Sequence, residues 1–249
     1  MSAEKSIALV IRLADFSESS RVVTLFTRDF GKVAVVAKGA KRLKGPFEAA
    51  LDLLTLCEVV FLRKSTSSLD LLTEARLRTR FRPQPGNLGS LYGGYYVAEL
   101  LDALSEEYDA HPALFDEACA ALERLSEGNL PLNSILSRFE LVLLREIGQL
   151  PSFEGCVACG EPVGDTRRFT FKVSQGGLIC DACLIEDAPR SWMTPSTAST
   201  LCQLAQETLP DWSQLALTGE QMSPIRSVLI STISYVLGRR PKMLRYLPS

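Results

Sequence analysis

The chain has 249 residues, 46% of them hydrophobic and 22% charged, with a formal net charge of −2. At roughly 150 residues per domain this predicts one to two domains, and the apolar share excludes a largely disordered protein. The whole-chain charge singles out no nucleic-acid or membrane partner, and no apolar run approaches the ~20 residues of a membrane span.

The first elements read as strands. Residues 5–15, 21–28 and 32–38 are short and rich in Val, Ile, Leu and Thr, and Arg28-Asp29-Phe30-Gly31 forms a turn between the second and third. The opening run Ile7-Ala8-Leu9-Val10-Ile11 stops at Arg12, too short for a signal-peptide core of roughly 7–15 residues, so a cytoplasmic location is expected. Residues 55–63 and 69–80 are two further strands. In the last, Leu69, Leu71, Thr73, Ala75 and Leu77 alternate with polar positions, as in a half-buried strand. Five strands in about 80 residues suit a small barrel, either the five-stranded OB-fold or an SH3-like barrel.

Arg82-Pro83-Gln84-Pro85-Gly86-Asn87 punctuates the chain and reads as a domain boundary. Residues 88–105, 112–127 and 131–147 then carry apolar residues at helical spacing, with Leu136, Phe139, Leu143 and Ile147 as one stripe. Further on, Thr194-Pro195 and Ser223-Pro224 each place a capping residue before a proline suited to the first helical position. Ile225, Val228, Leu229, Ile233, Val236 and Leu237 form the apolar face of the last helix, which Gly238 ends. The expected organisation is an α+β multidomain protein. A five-stranded barrel spans 1–82, a helical domain spans 83–155 and 191–249, and a cysteine module at 156–190 is inserted into it.

The charge is uneven. Residues 1–82 hold 15 Lys and Arg against 9 Asp and Glu, whereas residues 83–155 hold 3 against 12. A basic N-terminal third beside an acidic middle suggests two domains with different partners.

The cysteines carry the most specific pattern. Cys156-Val157-Ala158-Cys159 and Cys180-Asp181-Ala182-Cys183 make C-x2-C-x20-C-x2-C, at the upper edge of the spacing of a four-cysteine zinc site. Four thiolates close a tetrahedral shell and leave no position for a reacting water, so one structural zinc per chain is expected. An iron centre, or four free thiols, would fit the same pairs. Arg168 to Val173, the turn Ser174-Gln175-Gly176-Gly177 and the return Leu178-Ile179 complete a zinc ribbon. Cys57, Cys119 and Cys202 lie singly in apolar patterns and read as buried core residues. The lone His111 precedes Pro112 and reads as a loop or cap residue. With one histidine and no phosphate-cradling glycine loop, neither a nucleophile pair nor a nucleotide cofactor is expected.

Lys38-Gly39-Ala40-Lys41-Arg42-Leu43-Lys44-Gly45 is a dense basic loop, and Arg76, Arg78 and Arg80 alternate along the fifth strand so as to share a face. With Arg21, these residues make a plausible phosphate track. In the acidic segment Arg138 and Arg145 lie seven apart on one helix face, with Leu141 and Val142 between them.

The N-terminal segment resembles the RecO family of bacterial recombination mediators. The resemblance rests on Phe16-Ser17-Glu18-Ser19-Ser20, on Leu25-Phe26-Thr27 with Gly31, on Ala37-Lys38-Gly39-Ala40-Lys41-Arg42, and on Glu74-Ala75. The run Leu237-Gly238-Arg239-Arg240-Pro241-Lys242-Met243-Leu244-Arg245 is similar to the family's closing motif. The resemblance implies an N-terminal OB-fold that binds single- and double-stranded DNA, strand annealing without ATP, and a nucleoid-associated role in DNA repair. It also implies partnership with RecR and with the single-stranded DNA-binding protein. The acidic, apolar-tipped C-terminal tail of that protein is expected on the face of Arg138, Leu141, Val142 and Arg145, or else near Arg239, Arg240 and Lys242. A zinc-ribbon RNA-binding or translation factor is the alternative reading. A zinc hydrolase or nuclease is a third, against which the closed four-thiolate shell argues.

Overall fold

The computed structural model describes residues 2–42, 47, 50–64, 69–164, 167–185, 192–206, 212, 217 and 219–247. Five strands come first: β1 (Ser2–Asp15), β2 (Arg21–Thr27), β3 (Gly31–Ala37), β4 (Thr55–Arg63) and β5 (Asp70–Arg80). They close in the order β1-β2-β3-β5-β4. All pairs are antiparallel except β3 with β5, where Val35, Val36 and Ala37 lie opposite Asp70, Leu71 and Leu72. A simple meander would set β3 beside β4. The crossover to a parallel β3–β5 pair is the Greek-key closure of the OB-fold, and it decides against the SH3-like barrel.

Closure depends on the length of β1. Its residues Ser2–Leu9 pair with β4 and its residues Ala8–Asp15 pair with β2, with a bulge between Val10 and Arg12. A bulge adds local twist, which lets one strand bend from one neighbour to the other. Burial alternates strictly along β3 and most of β4. The inward set, Ala8, Val10, Val23, Leu25, Val33, Val35, Cys57, Val59, Phe61 and Leu72, fills the barrel as the period of two requires.

Three helices follow: α1 (Leu88–Leu104), α2 (Pro112–Glu127) and α3 (Leu132–Glu146). Asn87 caps α1 by accepting from the Ser90 N–H at 3.1 Å. His111 is the cap position of α2, with its ring 3.1 Å from Asp109. The compact units do not follow the linker at residues 82–87. Unit one spans Met1–Asn129 with Lys242–Ser249, and unit two spans Leu130–Pro241. Helices α1 and α2 therefore pack with the barrel. The Phe26 and Phe115 rings lie 6.2 Å apart, the Tyr108 N–H donates to the Lys32 carbonyl at 3.0 Å, and the Tyr108 hydroxyl bonds Asp70.

This packing brings opposite charges together. Within unit one, 18 Lys and Arg face 18 Asp and Glu. Arg28 pairs with Asp116, Arg12 lies 3.6 Å from Asp102, and the Lys32 ammonium donates to the Asp102 carbonyl. The acidic helices α1 and α2 thus bring carboxylates onto cations of the barrel. The chain's closing segment also belongs to this unit. The Lys242 and Met243 N–H groups donate to the two carboxylate oxygens of Glu99 on α1, at 2.7 and 2.8 Å.

Unit two holds α3, a four-stranded sheet and two more helices. The strands are β6 (Ser152–Cys156), β7 (Phe169–Lys172), β8 (Gly177–Cys180) and β9 (Trp192–Met193), in the order β6-β8-β7-β9. Helix α4 (Pro195–Ala205) starts as its Thr194-Pro195 signal predicts, with the Thr197 N–H donating to Thr194 Oγ1. Helix α5 (Gly219–Leu237) differs: it begins before Ser223, and Pro224 lies inside it. The missing proline N–H removes one bond near the helix start, while Ile225, Val228, Leu229 and Ile233 bury beyond it. Cys57 is buried as expected, whereas Cys119 and Cys202 are only half-buried. Among the described residues, no helix is long and apolar enough to cross a membrane.

Candidate nucleic-acid interface and metal centre

The cationic residues of the barrel fall into two groups. The first lies on the rim where β1 meets β2 and where β3 ends. Register sets Arg21 opposite Ala37, so Lys38 leaves β3 beside the start of β2. Residues 38–42 then fold against the β1–β2 loop. The Lys41 N–H donates to the Ser19 carbonyl at 3.1 Å, and the Lys41 ammonium donates to the Ser17 carbonyl at 2.9 Å. Asp15 joins the two loops, 2.9 Å from Lys41 and 3.5 Å from Arg21. The Lys41 hydrogen bond chiefly, with the charges of Lys41 and Arg21, holds the Asp15 carboxyl below the usual carboxylate range. Lys38 and Arg42 are exposed. Lys44 lies outside the described residues.

The second group is Arg76, Arg78 and Arg80 on β5. All three are exposed, but they do not share one face as strict alternation predicts. A bulge falls between Leu56 and Cys57, opposite Arg78. Arg76 then pairs with Glu58 and Arg80 with Thr55, and residues three apart on β4 lie on opposite faces. Arg78, the extra residue, donates to Glu58 Oε1 from Nε and Nη2 at 2.9 and 2.7 Å. That contact holds Glu58 below its ordinary value. The rim brings Arg21, Lys38, Lys41 and Arg42 together; the β5 arginines are divided by the bulge.

Phe16 on the same rim carried part of the family resemblance but no predicted role. The residue is 60% exposed.

In unit two, Arg138 and Arg145 do lie on one side of α3, but not beside an open groove. Leu141 and Val142 are 0% and 1% exposed. Arg138 donates to the Leu204 carbonyl and, at 2.7 Å, to the Gln206 carbonyl; Arg145 donates to the Ala205 carbonyl at 3.1 Å. Helix α4 ends at Ala205, where the last carbonyls have no partner within the helix. The two guanidiniums satisfy those carbonyls and sit at the negative end of the helix dipole. Periodicity correctly gives the shared face, but not what covers it.

The four predicted metal ligands converge. Cys156, Cys159, Cys180 and Cys183 place their sulfurs within 4.8 Å of one another, and no other such group of ligating side chains occurs among the described residues. Strands β7 and β8 form the expected hairpin, with Phe169 opposite Cys180, and Gly176 turns it at φ +70°. Strand β6 runs parallel to β8. There Gly177 approaches so closely that a Cβ would lie 2.6 Å from the Ser152 carbonyl oxygen.

The geometry suits a tetrahedral metal. Metal–sulfur bonds of about 2.3 Å at tetrahedral angles separate the sulfurs by about 3.8 Å, and Cys159 Sγ lies 3.8 Å from Cys180 Sγ. The Cys180 N–H donates to Cys156 Sγ at 3.4 Å. Burial pushes the Cys156 thiol up, but the N–H groups of Cys180, Cys159 and Ala158 and the Cys159 thiol outweigh it, bringing the group down to about 6. Cys183 goes the other way, pushed up to about 12 by its contacts with the Cys159 and Cys180 sulfurs, and a metal needs all four as thiolates.

The chain matches two family descriptions end to end: "Recombination protein O N terminal" over residues 1–81 and "Recombination protein O C terminal" over residues 85–245. Three similar proteins each carry the name DNA repair protein RecO. That of Rhodopirellula baltica is 34% identical, with 97% of each chain covered. That of Anaeromyxobacter dehalogenans is 33% identical over 99% of this chain and 96% of the relative. That of Halalkalibacterium halodurans is 28% identical over 98% of this chain and 93% of the relative. The OB barrel, the four-cysteine cluster and these full-length matches converge on one conclusion: this chain belongs to the RecO family of DNA repair and recombination proteins.

Proposed function

We propose that the protein is a recombination mediator that binds single- and double-stranded DNA on the cationic rim of its barrel and anneals complementary strands without ATP. The observation that carries this reading is the joining of the β1–β2 loop to the basic loop through Lys41, which gathers Arg21, Lys38, Lys41 and Arg42 on one edge. Lys38 and Arg42 offer exposed charge, and Asp15 is a carboxylate that an incoming phosphate replaces between Arg21 and Lys41. Annealing requires charge neutralisation on both strands and no bond cleavage.

One zinc per chain, held by Cys156, Cys159, Cys180 and Cys183, supports the ribbon of unit two. A closed four-thiolate shell assigns it to folding, with no substrate position. In this reading the protein works with RecR and with the single-stranded DNA-binding protein. The acidic tail of the latter meets exposed cations beyond α5, where Arg239 and Arg240 lie, because Leu141 and Val142 are covered.

The test is annealing of complementary strands coated with the single-stranded DNA-binding protein, with and without ATP. Equal, protein-dependent annealing in both is the expected result. Annealing that requires ATP, or none at all, overturns the reading.

A further inference from the structure

We propose that Phe16 is a base-stacking residue of the barrel rim, so that this edge distinguishes the unstacked bases of a single strand from the closed stack of a duplex. The proposal rests on the DNA-binding reading of the rim and adds to it a residue that touches bases, where the cations touch phosphates.

The barrel's other rings are committed to packing. Phe26, Phe47 and Phe61 are buried, and Phe30 meets Phe61 edge-on at 5.7 Å. Phe81 is half-buried, so close to α1 that a Cβ on Gly94 would meet its ring at 2.6 Å. Phe16 is the one exposed ring of the barrel among the described residues. A phenyl group left in water forgoes roughly 1.5–3 kcal/mol of burial.

The ring is nonetheless presented by an ordered backbone. The Phe16 and Ser17 N–H groups both donate to the Ser20 carbonyl, at 3.1 and 3.2 Å, and the Ser20 N–H returns a bond to Ser17 Oγ at 3.1 Å. Lys41 clamps the same loop through Ser17 and Ser19. A loop already fixed loses little freedom when a base lies on its ring.

The surroundings match the chemistry of a single strand. Asp15, the residue before Phe16, is bound to Arg21 and Lys41, so two cations sit at the residue next to it. Cations that track phosphates beside an aromatic face that takes any base make a sequence-tolerant single-strand site. A duplex stacks its bases on one another and offers this rim only its phosphates. The β1–β2 loop also lies at the ligand-binding edge of OB barrels generally.

The experiment measures binding of the full-length protein to three labelled probes of equal length: oligo(dT), an abasic strand with the same phosphates, and a duplex hairpin. Wild type is compared with Phe16→Ala, Phe16→Trp and a Lys38→Glu, Arg42→Glu double variant. Phe16→Ala is expected to weaken oligo(dT) about 5- to 150-fold, with the abasic and duplex probes unchanged and Phe16→Trp binding as wild type. Phe16→Ala that leaves oligo(dT) unchanged, or weakens all three probes alike, overturns the proposal. If the charge variant still loses every probe in that case, the DNA-binding reading of the rim stands without it. If the charge variant binds all three as wild type, that reading falls too and takes the proposal with it.

Discussion

Arg28, in the turn before β3, grips Asp116 of α2 with two parallel hydrogen bonds, Nε to Oδ1 at 3.0 Å and Nη2 to Oδ2 at 2.9 Å. The contact spans 88 residues of sequence and joins the basic barrel to the acidic helices. With Arg12 and Lys32 engaged by Asp102, it commits three of the barrel's cations to the acidic helices. The pair is largely exposed, so Asp116→Asn is expected to leave unfolding close to that of the wild type. Chemical denaturation checks this.

DNA binding should be strongly salt-dependent. The logarithm of affinity should fall by roughly 0.7 per contacted phosphate per decade of salt on single strands and roughly 0.9 on duplex. Lys41 is tied to Asp15 and Ser17, whereas Lys38 and Arg42 are exposed. The Lys38→Glu, Arg42→Glu variant should therefore lower both affinity and slope, equally across sequences. A salt titration of oligonucleotide binding measures both quantities.

The cysteine cluster should hold one zinc. Apparent binding by structural four-ligand sites amounts to roughly 10–16 kcal/mol, more than the hydrophobic side chains of this small sheet can replace. Cys180 is fully buried, so Cys180→Ser should lose the metal and the ribbon together. Metal analysis and limited proteolysis of unit two test this: one zinc per wild-type chain, and new cleavage near residues 156–183 in the variant.

Arg138→Ala should destabilise unit two by about 2–4 kcal/mol, because two carbonyls at the end of α4 lose a charged donor at a buried position. The buried pair of Arg226 with Glu140 should be at least as sensitive. Glu140 is 0% exposed, and Glu140→Ala, which strands the Arg226 charge, should cost about 3–5 kcal/mol. Thermal unfolding of both variants gives the order.

Cys57 should resist alkylation in the folded protein. Burial pushes its thiol up to about 12 from 9.0, so at pH 8 its thiolate fraction is about a thousandfold below that of a free thiol. A raised folded value stabilises the fold below the unfolded value, and the contribution is lost as pH rises from about 9 to about 12. Cys119 is shifted the same way. Iodoacetamide labelling with and without denaturant, read by mass spectrometry, should modify Cys57 only in the unfolded chain.

Short-range periodicity accounts for the elements that were legible along the chain. The alternation in residues 32–38 and 55–63 reappears as strands Gly31–Ala37 and Thr55–Arg63, and the helical stripes reappear as α1, α2 and α3. The paired cysteines converge because each C-x2-C is local and β6 runs beside β8, setting Cys156 opposite Leu178 next to Cys180. Everything missed depends on partners distant in the chain. The bulge that divides Arg76 from Arg80 is set by pairing with β4, and no count along β5 contains it. Arg138 and Arg145 keep the helical spacing read for them, but the carbonyls they bind lie 60 or more residues away. The carboxylates of the acidic segment that meet the barrel's arginines carry no local signal of those partners. Glu99 holds two N–H groups more than 140 residues further on, a contact with no local signal. A backbone period reports which side of an element is apolar; the tertiary packing alone decided which side chain, charge or carbonyl came to meet it.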